Sequence, residues 1–369
     1  MLSLGVRTLL SAPKYKVTWK TLLLLIIGLV AFFVYIYVFN VDIRDIIAKV
    51  QQINPYYYSL AAIVSVLDIV FFTLAWHSLL RFLSVKLSVF KSFAFVWAGI
   101  FVDTLIPAES VSGEITKIYL VNREQTGAAG KATASVVAHR LIGMGINIAA
   151  LLVGAGVLLF ESQLYGIVLG LVLFLITAIS VFFFLVLLLC FREKWTYRIV
   201  DGVIGFAERI SRGHWRLKKL RGQVVEIHRS FHSAIKEYVH APRTLFVASF
   251  FTVIAWVLYM SVLYLTFVSM GYTQISWSAI LVTSAIFVAV QYVPVGVPFG
   301  VGLPEIALTT LLVFFGVPWA ISATATILMR LLTLWLRFFI GFGAQQWIGA
   351  KAVITRQNIE TGSAPESKS

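Results

Sequence analysis

The stretch "VPVGVPFGVGLPE" at residues 293–305 lies between two strongly apolar segments and contains three prolines, three glycines and one acid. Proline and glycine interrupt helices, and a carboxylate is costly at membrane depth. Non-helical backbone is tolerated there only where protein or a water-filled cavity surrounds it, because lipid cannot hydrogen-bond exposed amides and carbonyls. The stretch therefore predicts a broken segment that lines a cavity inside a membrane bundle.

The composition of the whole chain agrees with a membrane location. The chain has 369 residues, of which 60% are hydrophobic and 12% are charged, and its mean hydropathy is +0.91. These values exclude an ordinary soluble domain and predict an all-α, polytopic membrane helical bundle. Runs long enough to cross a bilayer lie near residues 21–39, 57–83, 134–160, 165–191, 244–270 and 318–341.

The first apolar run is interpreted as a retained helix, because no small-residue cleavage site follows it. We therefore assign residues 1–20 to an N-terminal segment, residues 21–350 to one transmembrane domain and residues 351–369 to a polar tail. The single cysteine, Cys190, excludes an intrachain disulfide and a cysteine metal cluster.

Charge predicts which ends of the helices face the cytoplasm. Lysine and arginine crowd the N-terminus, the tail and three links, at residues 81–91, 117–131 and 192–243. The positive-inside rule predicts that these segments and both termini are cytoplasmic in a multi-pass protein of the cell membrane. This arrangement requires two re-entrant elements, residues 84–131 entering from the cytoplasm and residues 271–317 entering from outside.

The long link at residues 192–243 has twelve basic and five acidic residues. Apolar residues recur at helical spacing within it, so we predict an amphipathic helix on anionic lipid headgroups. Membrane sidedness accounts for the positive charge, and no nucleic-acid binding is predicted. His228 and His232 have the spacing of metal ligands, but no third ligand is near in the sequence, and we interpret them as polar residues at headgroup level.

A three-part pattern occurs twice along the chain. It consists of a proline, an acid seven residues later, and an arginine twenty-five or twenty-six residues after the acid. The two copies are Pro107, Glu114 and Arg140, and Pro298, Glu305 and Arg330. Because the copies enter from opposite sides, they predict an inverted repeat, whose paired interrupted segments point to a transporter's central site. Chance spacing is the alternative.

The arginines at membrane depth require partners. An arginine at the centre of a spanning helix costs about 2.5–3.5 kcal/mol on insertion scales. The repeat predicts that Glu305 pairs with Arg330 and that Glu114 pairs with Arg140; ion pairs that only fix helix packing are the alternative. Asp68 has no such partner in the sequence, and it faces either the cavity or a donor on another helix.

Several long motifs carry a family resemblance. They are "VDTLIPAESVSGEITKIYLVNR" (102–123), "SVVAHRLIGMGINIAALL" (135–152), "VPVGVPFGVGLPEIALTTLLVFFGVP" (293–318) and "ILMRLLTLWLRFFIGFG" (327–343). Over residues 20–350 the chain resembles the flippase-like membrane region shared by lysylphosphatidylglycerol synthases and their stand-alone relatives. The resemblance implies movement of lipids or polyprenyl-linked cargo between leaflets.

The chain departs from the family pattern at four positions, which implies a different cargo at the first-half site. Asp103 stands where asparagine is usual, Lys117 where arginine is usual, His139 where an acid is common, and Gly143 where aspartate often occurs. The synthase domain of the fused relatives is not expected in this chain, and aminoacyl transfer is not predicted.

Together these observations predict a lipid translocator for an anionic phospholipid or a polyprenyl-linked lipid. The chain has no nucleotide-binding or hydrolase motif, and we predict no enzyme activity, cofactor or metal. The expected partners are the lipid, an anionic membrane surface, and either a second copy or a lipid-modifying enzyme. The alternative is a non-transporting partner or scaffold for a cytoplasmic lipid- or glycan-modifying enzyme.

Two sets of residues carry the prediction. The candidate translocation residues are Asp68, Asp103, Glu114, Lys117, Arg140, Glu305 and Arg330. The candidate helix breaks are Pro107, Gly113, Pro294, Pro298, Gly300 and Gly302.

Overall fold

A computed structural model describes residues 51–106, 111–161, 165–210, 218–291, 300 and 302–360. Within this part of the chain the regular structure is helical, with no strand, which confirms the all-α prediction. The helices are α1 Pro55–Phe82, α2 Val89–Leu105, α3 Val111–Glu124, α4 Ala129–Phe160, α5 Gly166–Phe191, α6 Glu193–Ile210, α7 Lys218–Val239, α8 Pro242–Ser269, α9 Trp277–Val290, α10 Leu303–Phe314, α11 Trp319–Arg330 and α12 Arg337–Glu360, with a π-helical segment, Leu331–Leu336, between the last two.

Local sequence explains where several helices begin. The Asn54 side chain accepts a hydrogen bond from the Tyr56 amide before α1, and Pro55 occupies the first turn. Ser88 and Ser276 cap α2 and α9 in the same way. Such caps satisfy amides that have no partner within the helix, and proline is tolerated in the first turn because its missing N–H would be unpaired there.

In the described part of the chain, five helical segments are long and apolar enough to cross a membrane. They match five of the six predicted runs, and the sixth, residues 21–39, lies outside the described residues. The chain is a multi-pass integral membrane protein. The five segments are Pro55–Phe82, Ala129–Phe160, Gly166–Phe191, Pro242–Ser269 and Trp319–Ala350.

The links that we predicted to be cytoplasmic lie at one end of the bundle. The Tyr238 hydroxyl at the end of α7 donates to the Leu79 carbonyl near the end of α1, at 2.9 Å. The Lys131 ammonium at the start of α4 donates to the Leu83 carbonyl, also at 2.9 Å. Basic residues that are far apart in sequence are therefore gathered on the same end.

The weakly charged links lie at the opposite end of the bundle. The Asn54 amide donates to the Ser269 carbonyl at 2.8 Å, which ties the start of α1 to the end of α8. The Ser278 hydroxyl at the start of α9 donates to Glu161 Oε2 at 2.9 Å. The two ends therefore differ in charge as the positive-inside rule requires.

Two pairs of short helices occupy the regions predicted to be re-entrant. Helices α2 and α3 pack on each other, and Lys91 near the start of α2 pairs with Glu124 at the end of α3. Helices α9 and α10 also pack on each other. The connecting residues 107–110 and 292–299 lie outside the described part of the chain, and the re-entrant course and the inverted repeat stay predictions.

Helix α7 corrects the interpretation of residues 192–243. Part of its apolar face packs on the bundle instead of facing headgroups, since Ile235 and Tyr238 belong to the buried cluster that contains Trp76. His228 and His232 are 9% and 2% exposed, so protein covers both side chains and they do not face headgroups, and their depth in the membrane stays a prediction. Helical periodicity identified an apolar face but not what covers it.

Burial also changes the acid–base behaviour of α7. Removal from water lowers the pKa of the His232 imidazole, and the adjacent His228 lowers it further. Burial raises the pKa of the Tyr238 phenol. His232 accordingly resists protonation and donates its Nδ1 hydrogen to the Cys190 carbonyl, at 3.0 Å.

Candidate functional site

A cavity of about 380 Å³ lies among α1, α2, α3, α4, α8 and the π-helical segment. Six of the seven candidate residues from the sequence line it, and the seventh, Glu305, lies behind Arg330 and pairs with it. The charged side chains of the wall are Asp68, Asp103, Glu114, Lys117, Arg140, Arg330 and Arg337.

Glu305 and Arg330 form a buried ion pair, as the repeat predicted. Arg330 Nε donates to Glu305 Oε1 at 2.5 Å, and the two residues are 8% and 3% exposed, respectively. Arg330 Nη2 also donates to the Gly300 carbonyl at 3.0 Å, and the Gly302 amide donates to Glu305 Oε2 at 2.6 Å. The acid at the start of α10 therefore holds both the arginine and the end of the interrupted segment.

Gly302 has a backbone conformation that explains why glycine is needed there. Its φ of 112° and ψ of −80° lie where side chains are strained. This conformation directs the Gly302 amide toward the Glu305 carboxylate. Gly300 also has a positive φ, of 50°. Of the other predicted breaks, Pro107, Pro294 and Pro298 lie outside the described residues.

We expect Gly302→Ala to lower the free energy of unfolding by about 1–3 kcal/mol, the usual cost of a strained backbone position. Gly156→Ala is the matched control, because Gly156 lies within α4 and an added Cβ would meet nothing within 4 Å. Alanine there should be neutral or stabilising by up to about 1 kcal/mol. Thermal unfolding of both variants in detergent checks the pair, and equal midpoints would contradict the role given to Gly302.

Asp68 has a partner that its sequence context did not reveal. Arg337 Nη2 donates to Asp68 Oδ2 at 2.5 Å and to the Ser65 carbonyl at 3.2 Å. The Arg337 guanidinium also lies 5.6 Å from the centre of the Tyr259 ring. Arg337 follows Arg330 by seven residues in one apolar run, and this spacing was the signal that could have indicated a second buried arginine.

The π-helical segment Leu331–Leu336 connects the two arginines. The Ser65 hydroxyl donates to the Leu332 carbonyl at 3.2 Å, and Arg337 donates to the same hydroxyl oxygen. Hydropathy does not reveal such a segment, which is frequent at functional sites. Through Ser65, the π-helical segment connects α1 with Arg330 and Arg337.

Asp103 holds the start of α3. Its Oδ1 accepts hydrogen bonds from the Ser112 hydroxyl and from the Gly113 amide, both at 2.6 Å. A Cβ at Gly113 would lie 2.6 Å from the Gly99 carbonyl oxygen, so glycine lets α2 and α3 approach closely. The carboxylate occupies the positive end of a helix, where an anion is favoured.

Lys117 is a buried cation in a partly aromatic environment. Its ammonium lies 2.8 Å from Glu114 Oε2 and 5.1 Å from the centre of the Trp76 ring. Lys117 is 4% exposed. Glu114 therefore pairs with the cation one turn along its own helix, and the predicted pairing of Glu114 with Arg140 stays a prediction.

The four positions at which the resemblance implies a departure from the family pattern share the cavity. Asp103, Lys117, His139 and Gly143 all line it. The His139 ring lies 4.4 Å from the centre of the Phe72 ring. A Cβ at Gly143 would meet nothing within 4 Å, so this glycine borders open space. The four departures that the resemblance implies therefore lie on one cavity.

Comparison with known proteins yields a family and several relatives. A sequence model described as the lysylphosphatidylglycerol synthase TM region matches residues 18–341. A UPF0104 membrane protein from Pyrococcus horikoshii is 24% identical over 339 residues, covering 87% of this chain and 95% of the relative. Another from Methanothermobacter thermautotrophicus is 25% identical over 336 residues, covering 90% and 96%.

Proposed function

The chain belongs to the lysylphosphatidylglycerol synthase TM region family, and from that premise we propose that it moves an anionic phospholipid or a polyprenyl-linked lipid between leaflets. The cavity holds the headgroup, and the acyl or prenyl chains stay in the bilayer. No covalent bond of the lipid is made or broken. The proposal assigns the chain a transport role and no enzymatic one.

The observation that carries the proposal is a cavity whose wall contains both acids and cations within a membrane bundle. Its volume of about 380 Å³ lies in the range of sites for small ligands. A charged headgroup meets a barrier of several kcal/mol in hydrocarbon. Fixed cations and helix ends that replace its water lower that barrier, as they do at the central sites of transporters.

A role limited to helix packing does not account for the open space beside the charges. Arg330 and Glu305 are closely packed, but Lys117, Arg140 and Arg337 also reach the cavity. In a scaffold protein these buried charges would lower the stability of the fold and would have no ligand to bind. This comparison favours translocation over a scaffold.

We also propose that the basic end of the bundle faces the cytoplasm. Cys190 is the single native cysteine and is 4% exposed, so labelling of the native chain should be low. Ser233→Cys on α7 and Thr273→Cys at the opposite end introduce exposed thiols. An impermeant maleimide added to intact cells should label Thr273→Cys and leave Ser233→Cys unlabelled. The reverse pattern would contradict the orientation.

Reconstitution tests the transport proposal. Purified protein in vesicles should expose fluorescent phosphatidylglycerol, initially in the inner leaflet, to an impermeant quencher faster than protein-free vesicles do. Phosphatidylcholine and a polyprenyl phosphate, measured in parallel, define the cargo. If the vesicles move none of these lipids faster than protein-free controls, the scaffold alternative replaces the proposal.

A further inference from the structure

The charged groups of the cavity wall balance one another among the residues that the structure describes. The described wall, together with Glu305 behind it, contains four carboxylates and four cations, so the formal charges sum to zero. The acids are Asp68, Asp103, Glu114 and Glu305, and the cations are Lys117, Arg140, Arg330 and Arg337. A phosphodiester headgroup adds one negative charge. Because uncompensated charge is expensive in a poorly hydrated interior, its entry requires a compensating positive charge.

The surroundings of Asp68 allow its carboxylate to accept that positive charge as a proton. The residue is 2% exposed; its Oδ2 accepts from Arg337, and its Oδ1 is buried and has no hydrogen-bond partner within 3.5 Å among the residues that the structure describes. Glu305 differs, because Arg330 occupies one of its oxygens and the Gly302 amide occupies the other. The Asp68 carboxylate thus has one cation and one open oxygen.

Arg337 is the cation whose hydrogen bonds an anionic headgroup can accept in place of Asp68. Its side chain is 11% exposed and lines the cavity. A phosphate that receives the guanidinium hydrogen bonds leaves Asp68 as an unpaired buried carboxylate, a state that costs several kcal/mol. A proton on Oδ1 removes that charge.

We propose, on the basis of the translocation function above, that an anionic headgroup enters the cavity together with one proton, which Asp68 carries on Oδ1. The exchange balances: the Arg337–Asp68 ion pair is replaced by an Arg337–phosphate pair, and the carboxylate becomes a carboxylic acid. Release of the headgroup on the other side restores the ion pair and frees the proton. Lipid movement is thereby coupled to proton movement in the same direction.

The surroundings of Asp68 fit this exchange. Helix α12 presents Arg337, and α8 presents Tyr259, whose hydroxyl accepts from Gln291 Nε2 at 2.9 Å. A phenol is neutral near pH 7, so Tyr259 contributes a hydroxyl instead of a charge. Farther around the wall, the charged and titratable groups are Asp103, Glu114, Lys117, His139, Arg140 and Arg330.

Calorimetry in two buffers of different ionisation enthalpy tests the inference, because it gives the protons taken up per ligand bound. We expect dioctanoyl phosphatidylglycerol to bind the detergent-solubilised protein near pH 7 with uptake of about one proton. Dioctanoyl phosphatidylcholine carries its own cation and should bind with uptake near zero. Binding of phosphatidylglycerol without proton uptake overturns the coupling but leaves translocation intact, whereas absence of binding overturns both proposals.

Variants identify the residue that carries the proton. Asp68→Asn should bind phosphatidylglycerol with proton uptake near zero, because the amide cannot be protonated there. Glu161→Gln is the control, since Glu161 lies at the end of the bundle and hydrogen-bonds Ser278; it should keep the native uptake. If Asp68→Asn takes up as many protons as the native chain, another group carries the proton. The number of protons that the native chain takes up per lipid bound tests the coupling even if Asp68→Asn does not fold.

Discussion

Arg330→Ala is expected to lower the free energy of unfolding by about 3–5 kcal/mol, because it leaves Glu305 as an unpaired charge in a packed interior. Glu305 is 3% exposed and cannot recover water where it lies. The double variant Glu305→Gln/Arg330→Gln removes both charges and should unfold at a higher temperature than Arg330→Ala. Thermal unfolding of the variants in detergent measures the difference.

The same variants separate stability from transport. The double variant should fold but move anionic lipid at the rate of protein-free vesicles, because the cavity has lost the Arg330 guanidinium as a hydrogen-bond donor to the headgroup, although the net charge of the wall is unchanged. Lys236→Ala is the control, since this exposed lysine lies 3.8 Å from Glu193, and such surface pairs contribute about 0–1 kcal/mol. A double variant that folds and transports at the native rate would assign the pair to packing alone.

The membrane spans followed from the sequence because hydrophobic length is a property of one segment at a time. Helix α1, for example, needs only its own 28 residues, at about 1.5 Å each, to cross the hydrocarbon. The partner of Asp68, in contrast, could not be predicted from the sequence of this segment alone. The partner, Arg337, is 269 residues away, and no local pattern connects the two.

The pairing of Glu305 with Arg330 was predictable for a specific reason. Both are costly at membrane depth, they belong to one repeat unit, and the chain between them is short enough to bring them together. Glu114 was harder to assign, because two cations, Lys117 and Arg140, were within reach of its half of the repeat. The structure selects Lys117 for one contact, at 2.8 Å.

Helices α6 and α7 showed the limit of periodicity. An apolar face next to basic residues is equally consistent with a membrane surface and with a protein surface. Burial of His232 and Ile235 against the bundle depends on how α4 and α5 are placed, which the sequence of α6 and α7 does not encode. The π-helical segment was missed for a similar reason, since its residues are as apolar as those of an ordinary span.

The most direct measurement asks whether lipid passes through the cavity. Gly143 borders open space in the cavity wall, where an added Cβ would meet nothing within 4 Å, so we expect Gly143→Phe to place its ring in the cavity. Gly145 also borders open space but does not line the cavity, and it lies roughly 200° farther around α4. Gly145→Phe is therefore a control that differs only in which face of the helix carries the ring.

Both variants are to be reconstituted at equal protein content, and movement of fluorescent phosphatidylglycerol from the inner to the outer leaflet is to be followed with the impermeant quencher. We expect Gly143→Phe to fall to the rate of protein-free vesicles, and Gly145→Phe to retain the native rate. A Gly143→Phe protein that unfolds at the native temperature and still moves the lipid as fast as the native chain would contradict the assignment of this cavity as the headgroup site.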